Sequence, residues 1–193
     1  NVQVFQTSQS GDKLALRSLV IKPDCKALTT ELFPEKTYQS IEGFGGAFTE
    51  STTYLLDQIG TKNKTEILKA YFSDSGACYS MARTHINSCD FSLYNYAYDT
   101  ISGDTQLAHF NVSRENKHTI PAIKQPMEIP GKPIKIVASP WTAPPWMKDN
   151  KDWKGGKLLP EYYQTWALYF TKYIKAFEKE NIPIWAVSVE NEP

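Results

Sequence analysis

The pattern of apolar and polar positions changes near residue 39 of the chain. Before that point, Val2–Thr7 and Leu14–Ile21 show the period-two alternation that is typical of strands, on either side of a turn signal at Ser10-Gly11-Asp12. One or two short hairpins are at best marginally stable by themselves. We therefore predict that residues 1–38 form strands of a β-domain that needs partners from elsewhere.

From residue 39 onward, apolar stretches alternate with segments of helical period. Strands are predicted at 40–48, 79–86, 134–139 and 184–192, and helices at 51–59, 62–72, 114–127 and from about 160. Strands that alternate with helices predict βαβ units and a parallel sheet, either a small open sheet or half of an eightfold barrel. Because the chain stops at a strand with no helix after it, we predict that residues 39–193 are the first four β/α units of a (β/α)8 TIM barrel.

The most regular helical pattern follows Pro160. Its apolar residues recur at steps of three and four: Trp166, Tyr169, Phe170, Tyr173, Ile174 and Phe177. Asn181 suits the left-handed position just after a helix, and Pro183 prevents the helix from continuing.

Composition excludes several classes of function. The 21 basic and 21 acidic residues balance, so neither nucleic acid nor an anionic membrane surface is an expected partner. No apolar stretch approaches the ~20 residues of a transmembrane helix. The three cysteines are odd in number and lack the spacing of metal ligands, which predicts free thiols.

Unusual side chains follow every predicted strand: Gly45-Gly46, Asp90-Phe91, Trp141 with Trp146, and Asn191-Glu192. In a barrel, the carboxyl ends of the strands meet at one mouth, where active sites are built. Carboxylates and amides bind ring hydroxyls, and aromatic faces cover the C–H patches of a sugar, so these residues favour a neutral carbohydrate ligand. The glycines lack the spacing of a nucleotide-binding motif and indicate a close approach of backbones.

Each of these residues also has a plainer explanation. Glu192 has the side chain for general acid/base catalysis, and Asn191 can hydrogen-bond a sugar hydroxyl, but both also suit an ordinary turn. Asp90 can bind hydroxyls, and an Asx-turn or a helix cap explains it equally well. Trp141 lies between two proline-containing turns, and its alternative is core packing.

Arg83 lies in the middle of a predicted strand and is one of three arginines in the chain. A charge there needs a partner, and inside a barrel the expected partner is a catalytic carboxylate. His85 follows two residues later, but neither His109 nor His118 is spaced to join it as a metal ligand. We therefore predict neither a metal nor another cofactor.

Four segments resemble the glucosylceramidases of glycoside hydrolase family 30. They are IEGFGGAFTE (41–50), SCDFS (88–92), ASPWTAPPWMK (138–148) and WAVSVENEP (185–193). The resemblance implies a (β/α)8 barrel together with a β-sandwich that is built partly from N-terminal residues. On this basis we assign residues 1–38 to the sandwich.

Position by position, the resemblance implies roles for five residues. Glu192 corresponds to the general acid/base, and Asn191 to the neighbour that contacts the sugar 2-hydroxyl. Asp90 and Trp141 correspond to contacts with the other glucose hydroxyls, and Arg83 to a support for the catalytic carboxylates.

The chain departs from the family in two respects. His85 stands where the family usually has proline, which alters the second loop. Retaining hydrolysis also requires two carboxyl groups, and the family's nucleophile, a Glu late in the barrel, is expected beyond Pro193.

The leading hypothesis is a retaining glycosidase for glucosylceramide or a related β-glucoside such as a β-1,6-glucan. Its remaining barrel half is then a necessary partner, and these residues alone are expected to be inactive. The competing hypothesis is a non-catalytic carbohydrate-binding or scaffold fragment. The resemblance implies a secreted, periplasmic or lysosomal protein without stable membrane insertion.

Overall fold

The computed structural model describes residues 3–19, 30–129 and 133–192. Its contacts divide the chain into two compact units, Asn1–Ser40 and Ile41–Pro193. No helix among the described residues is both long enough and apolar enough to cross a membrane.

The first unit contains a two-stranded antiparallel sheet of β1 (Val4–Gln6) and β2 (Ala15–Arg17), with Phe5 opposite Leu16. Both strands fall inside the two predicted alternating segments but are shorter. Phe5 and Leu16 are mostly exposed, at 59% and 63%, so this hairpin does not bury a core of its own. The strand-like alternation of the sequence also continues over 27–32; most of that segment lies outside the described residues, and its described part, 30–32, is not a strand.

The second unit is built on a four-stranded parallel sheet in the order β3-β4-β5-β6. The strands are β3 (Gly45–Phe48), β4 (Met81–Ile86), β5 (Lys135–Pro140) and β6 (Ile184–Val187). The helices are α1 (Glu50–Gln58), α2 (Thr61–Phe72), α3 (Thr119–Met127) and α4 (Tyr163–Lys179), with 3₁₀ turns at Pro145–Met147 and Pro160–Tyr162. The prediction of a parallel α/β sheet of four strands is confirmed, with helices following the first three strands.

The hydrophobic core lies between the sheet and its helices. Ala82 and Ile86 of β4 and Ile136 of β5 are buried there against the fully buried aromatic rings of α4, Tyr169 and Tyr173. The edge strand β6 is open to solvent, with Trp185 50% and Val187 42% exposed. Val187 pairs with Ala138, a buried residue of this core, so its exposure lies at the edge of the helix-covered face.

Helix α4 ends as its sequence predicts. Asn181 has φ 60°, in the left-handed region. The Asn181 N–H donates to Glu178 O at 2.9 Å, and the Ile182 N–H donates to Phe177 O at 3.0 Å. These two bonds define a Schellman motif, and the buried Ile182 and Phe177 supply its apolar contact. The chain is thereby turned directly into β6.

Three predicted boundaries are wrong. Strand β3 begins at Gly45 rather than at residue 40. Helix α3 begins at Thr119 rather than 114; Pro121 lies in its first turn, where no intrahelical N–H bond is lost, and Pro126 lies inside the helix near its end. Strand β6 ends at Val187 and does not reach Glu192. Val187 pairs with Ala138, and two residues further along β5 stands Pro140, which has no N–H with which to extend the ladder.

Gly45 allows β3 to pair with β4, as its sequence position predicts. A Cβ at Gly45 would overlap the backbone carbonyl of Met81, whereas a Cβ at Gly46 would lie 3.6 Å from a ring carbon of Tyr79, an ordinary contact. Only the first of the two glycines is therefore required by close packing of the backbones.

We expect Gly45→Ala to lower the free energy of unfolding of the full-length protein by about 1–3 kcal/mol, because β3 must move away from β4. Gly46→Ala is the matched control and should change it by less than about 1 kcal/mol. Urea denaturation followed by tryptophan fluorescence measures both. Equal effects of the two substitutions would contradict the role assigned to Gly45.

Candidate active site at the carboxyl ends of the strands

Arg83 joins three segments of the chain at one level of the sheet. Its Nε–H donates to Ser139 Oγ of β5 at 3.0 Å, and an Nη–H donates to Asn191 Oδ1 at 2.6 Å. Ser188 Oγ donates in turn to Ser139 Oγ at 2.8 Å. Among the described residues, no carboxylate forms a salt bridge with Arg83, although one was expected. The hydrogen-bond acceptors of Arg83 are instead an amide oxygen and a hydroxyl.

Trp141 packs against the same guanidinium. It follows β5 directly, is partly buried, and its ring centroid lies 4.7 Å from the guanidinium carbon of Arg83. A flat guanidinium stacks on an aromatic ring while its N–H groups remain available at the edge. Trp141 is therefore held by its neighbour as well as by the turn after the strand.

The bond to Arg83 also fixes the orientation of the Asn191 amide. A guanidinium only donates hydrogen bonds, so the amide oxygen must face it. The NH₂ group of Asn191 then points away from Arg83 and can donate to a ligand hydroxyl.

Glu192 and Trp141 line one cavity of about 250 Å³. Glu192 is exposed, whereas Glu190, which lines the same cavity, is partly buried. Asn191 lies between these two residues in sequence and reaches Arg83. The segment after β6 thus directs an amide to one side and two carboxylates to the cavity.

The cavity contains a third charged residue, Lys148, which the sequence did not single out. Lys148 is only 3% exposed, and its Nζ donates to Thr142 Oγ1 at 2.8 Å. Burial lowers the pKa of the Lys148 amine. Burial also raises the pKa of the Glu190 carboxyl, and the positive charge of Lys148 opposes that shift.

Asp90 is exposed in the turn after β4, and its side chain is not among the described contacts of Arg83, Trp141 or Asn191. Asn87, the first residue after β4, has φ 63° and is fully buried. Its Oδ1 accepts from the Tyr98 N–H at 3.1 Å and from the Tyr169 hydroxyl. This bonding fixes where the loop that carries Asp90 leaves the sheet.

Two buried carboxylates support that loop, and sequence reasoning assigned a role to neither. Glu115 is 2% exposed and accepts from the hydroxyls of Tyr96 at 2.6 Å and Tyr98 at 3.0 Å. Glu50 is 4% exposed and forms a 2.6 Å ion pair with Arg114. The eleven tyrosines were a visible signal of such a network, but their pairing was not.

His85 is buried and bonded within the same region. Its Nδ1 lies 2.7 Å from Asn87 O, and because a carbonyl only accepts, Nδ1 carries a proton there. No cluster of three or more His, Cys, Asp or Glu side chains suitable for a metal ion occurs within 3–19, 30–129 and 133–192.

A parallel sheet with helices on one face and these side chains gathered at the carboxyl ends of its strands defines a protein of the (β/α)-barrel class. Residues 41–193 match the model of the glycosyl hydrolase family 30 TIM-barrel domain. The chain therefore belongs to glycosyl hydrolase family 30, and the predicted fold class is confirmed.

Individual relatives agree with this assignment. The chain is 39% identical over 172 residues to the mouse lysosomal acid glucosylceramidase. The aligned residues make up 86% of the chain and 33% of the relative. It matches the crystal structure of SrfJ from Salmonella typhimurium with TM-score 0.80 and 38% identity, over 93% of the chain and 41% of SrfJ. It matches the endo-β1,6-glucanase BT3312 with TM-score 0.79 and 35% identity. This match covers 99% of the chain and 42% of BT3312. The chain spans about a third of the length of the mouse relative.

The structure thus brings Trp141 and Asn191 each into contact with Arg83, and Glu192 lines the same cavity as Trp141. It leaves Asp90 on a neighbouring turn. The catalytic and binding roles of all five residues stay predictions.

We expect the Glu190 carboxyl to titrate above the ordinary range for glutamate. Removing the Lys148 charge with Lys148→Met should raise the Glu190 pKa further, because that charge favours the carboxylate. Because folding raises the Glu190 pKa, the stability that the protonated Glu190 contributes is present at low pH. It is lost as the pH rises through the raised pKa. Carboxyl ¹³C NMR, assigned with Glu190→Gln, measures the pKa. An unchanged or lower value in Lys148→Met would contradict the predicted electrostatic coupling.

Proposed function

We propose that this chain is part of a retaining glycoside hydrolase that cleaves β-glucosidic bonds, with Glu192 as the general acid/base. The nucleophilic carboxylate is supplied by a residue beyond these 193. Retaining hydrolysis requires two carboxyl groups roughly 5–5.5 Å apart on either side of the scissile bond. Membership of family 30 supports the reaction class.

The observation that carries this proposal is the 2.6 Å hydrogen bond from Arg83 to Asn191. It ties the segment that contains Glu192 to the middle of the sheet, although β6 itself ends at Val187. The same guanidinium stacks on Trp141. A hydrogen-bonding amide, an aromatic face and a carboxyl group therefore converge at one barrel mouth, which is the set of groups that a pyranose ring requires.

Each residue then has a distinct task. In its acid form, Glu192 gives a proton to the glycosidic oxygen as the bond to the leaving group breaks. In the second half-reaction it takes a proton from water. Asn191 donates its NH₂ to a hydroxyl of the sugar, Trp141 and Asp90 contact other hydroxyls, and Arg83 positions Asn191 and Trp141.

The substrates that we propose are taken from the names of similar proteins. The names of the similar proteins include a glucosylceramidase and an endo-β1,6-glucanase, so we propose glucosylceramide or a β-1,6-linked glucan as the substrate. Residues 1–38 are proposed to contribute strands to an accessory β-sandwich. A secreted, periplasmic or lysosomal location accords with the mouse relative, which is named as lysosomal.

In the full-length protein, we expect Glu192→Gln to slow hydrolysis of a glucoside with a poor leaving group by at least about 100-fold. Hydrolysis of 2,4-dinitrophenyl β-glucoside should be slowed far less in its first half-reaction, because that leaving group needs no proton. Azide should restore its turnover and give a β-glucosyl azide, which retention of configuration requires. Equal losses on both substrates without rescue by azide would contradict the assignment. Sugar binding by a wild-type protein that lacks turnover would favour the carbohydrate-binding alternative.

We expect Trp141→Ala and Asp90→Ala each to weaken binding of a glucose-like iminosugar by roughly 1–3 kcal/mol, because partner groups are left without a bond. Glu66→Ala, which removes an exposed carboxylate on α2, is the matched control and should leave the affinity unchanged. Isothermal titration calorimetry on the full-length protein measures all three. Unchanged affinity for the iminosugar in a folded Trp141→Ala or Asp90→Ala variant would show that the substituted residue does not bind the sugar.

A further inference from the structure

Two serines beside Arg83 take no part in the chemistry proposed above. Ser139 belongs to β5 and is 1% exposed, and Ser188 directly follows the last residue of β6. The Ser188 N–H donates to Ala138 O at 3.1 Å, and its hydroxyl donates to Ser139 Oγ at 2.8 Å. Ser188 is therefore joined to β5 both by its backbone and by its side chain.

The Ser139 hydroxyl oxygen accepts two hydrogen bonds at once. Arg83 Nε can only donate, so Ser139 Oγ is the acceptor in the 3.0 Å bond between them. The Ser188 hydroxyl donates to the same oxygen. A hydroxyl oxygen has two lone pairs, so both acceptor positions of Ser139 are occupied. Ser188 therefore helps to fix the oxygen that orients the Arg83 guanidinium.

These bonds close a ring on the segment after β6. From Ser188 the ring runs through Ser139 Oγ to the Arg83 guanidinium, and from there through the 2.6 Å bond to Asn191 Oδ1. The backbone between Ser188 and Asn191, which forms no strand, completes the ring. One end of this short stretch is thus joined to Arg83 directly, and the other end through Ser139.

Apolar packing does not hold this stretch. Val189 is 81% exposed, and Glu192, which directly follows Asn191, is exposed as well. The position of the Glu192 carboxyl therefore depends on the backbone that carries it, and the ring fixes that backbone one residue earlier. Proton transfer needs the acid within hydrogen-bonding distance of the glycosidic oxygen, and a misplacement of about 1 Å can cost about a hundredfold in rate.

We propose that Ser188 and Ser139 are positioning residues for proton transfer by Glu192. Their hydroxyls orient the Arg83 guanidinium, which holds Asn191 and, with it, the backbone of the general acid. This inference rests on the proposed function. Because the serines act on the placement of the acid, their loss should slow the bond cleavage that needs a proton more than the cleavage that needs none.

The test uses two substrates of the full-length protein that differ in their need for the proton. Phenyl β-glucoside has a poor leaving group, and 2,4-dinitrophenyl β-glucoside has a good one. Ser188→Ala should lower kcat/KM, which reports on the first half-reaction, about tenfold more on the phenyl glucoside than on the dinitrophenyl glucoside. Ser188→Thr keeps a hydroxyl and should stay within about threefold of the wild type on both. Ser102→Ala removes an exposed hydroxyl from another loop and is the matched control, with a change of less than about twofold.

A double variant tests whether Ser188 acts through Ser139. Ser188 bonds to Ser139, which in turn bonds to Arg83. Adding Ser188→Ala to Ser139→Ala should therefore change kcat/KM on phenyl glucoside by less than about twofold. A further tenfold loss, roughly the effect expected of Ser188→Ala alone, would show independent action and overturn the inference.

A measurement on the wild type avoids any folding defect of the variants. In ¹⁵N NMR, the Arg83 Nε–H should exchange with water at least about tenfold more slowly than the Nε–H of the exposed Arg17. Equal exchange rates would show that the ring is not closed in solution and would overturn the inference.

The kinetic outcomes separate this inference from the proposed function. Equal losses of Ser188→Ala on the two glucosides, or no rescue by Ser188→Thr, would overturn the inference and leave the proposed function in place. Absence of hydrolysis of both glucosides by the wild-type protein would remove the proposed function, and the inference with it.

Discussion

A guanidinium group has five N–H donors and no acceptor, so an arginine within a sheet must be surrounded by acceptors or aromatic faces. Arg83 meets this requirement with Ser139, Asn191 and the ring of Trp141. These partners come from β5 and from the two segments that follow β5 and β6. The need of one charge for partners therefore fixes the relative positions of three elements that are distant in sequence, at the level where the sheet presents its candidate site.

A second polar network determines where the loop after β4 runs. Asn87 leaves the sheet in a left-handed conformation and is held by Tyr98 and Tyr169, while Glu115 accepts two tyrosine hydroxyls. Buried polar groups of this kind stabilise a fold only when they are satisfied, because an unpaired one is costly. The loop that carries Asp90 is consequently held against the core by residues in the middle of the loop as well as by those at its ends.

Local features of this structure could be predicted from the sequence, and non-local ones could not. The left-handed Asn181 and the close approach at Gly45 depend on neighbouring residues or on the lack of a side chain, and both were correctly expected. Arg83 was recognised as a charge in need of partners, but the identity of those partners depends on strand register. The Tyr98–Glu115 bond and the pairing of Glu50 with Arg114 also join residues far apart in the chain, and no sequence period marks them.

The segment after β6 limits how this family member can change in length. Val189, Glu190 and Glu192 line one cavity while Asn191 bonds to Arg83. Residues 188–192 form no strand and bend at Val189 and Asn191, so no two-residue period sets the side on which each side chain lies. Inserting or deleting one residue between Val187 and Glu190 would therefore move Asn191 away from Arg83 and shift both carboxylates relative to the cavity, even with every residue type retained. The length of this stretch is constrained independently of which residues occupy it.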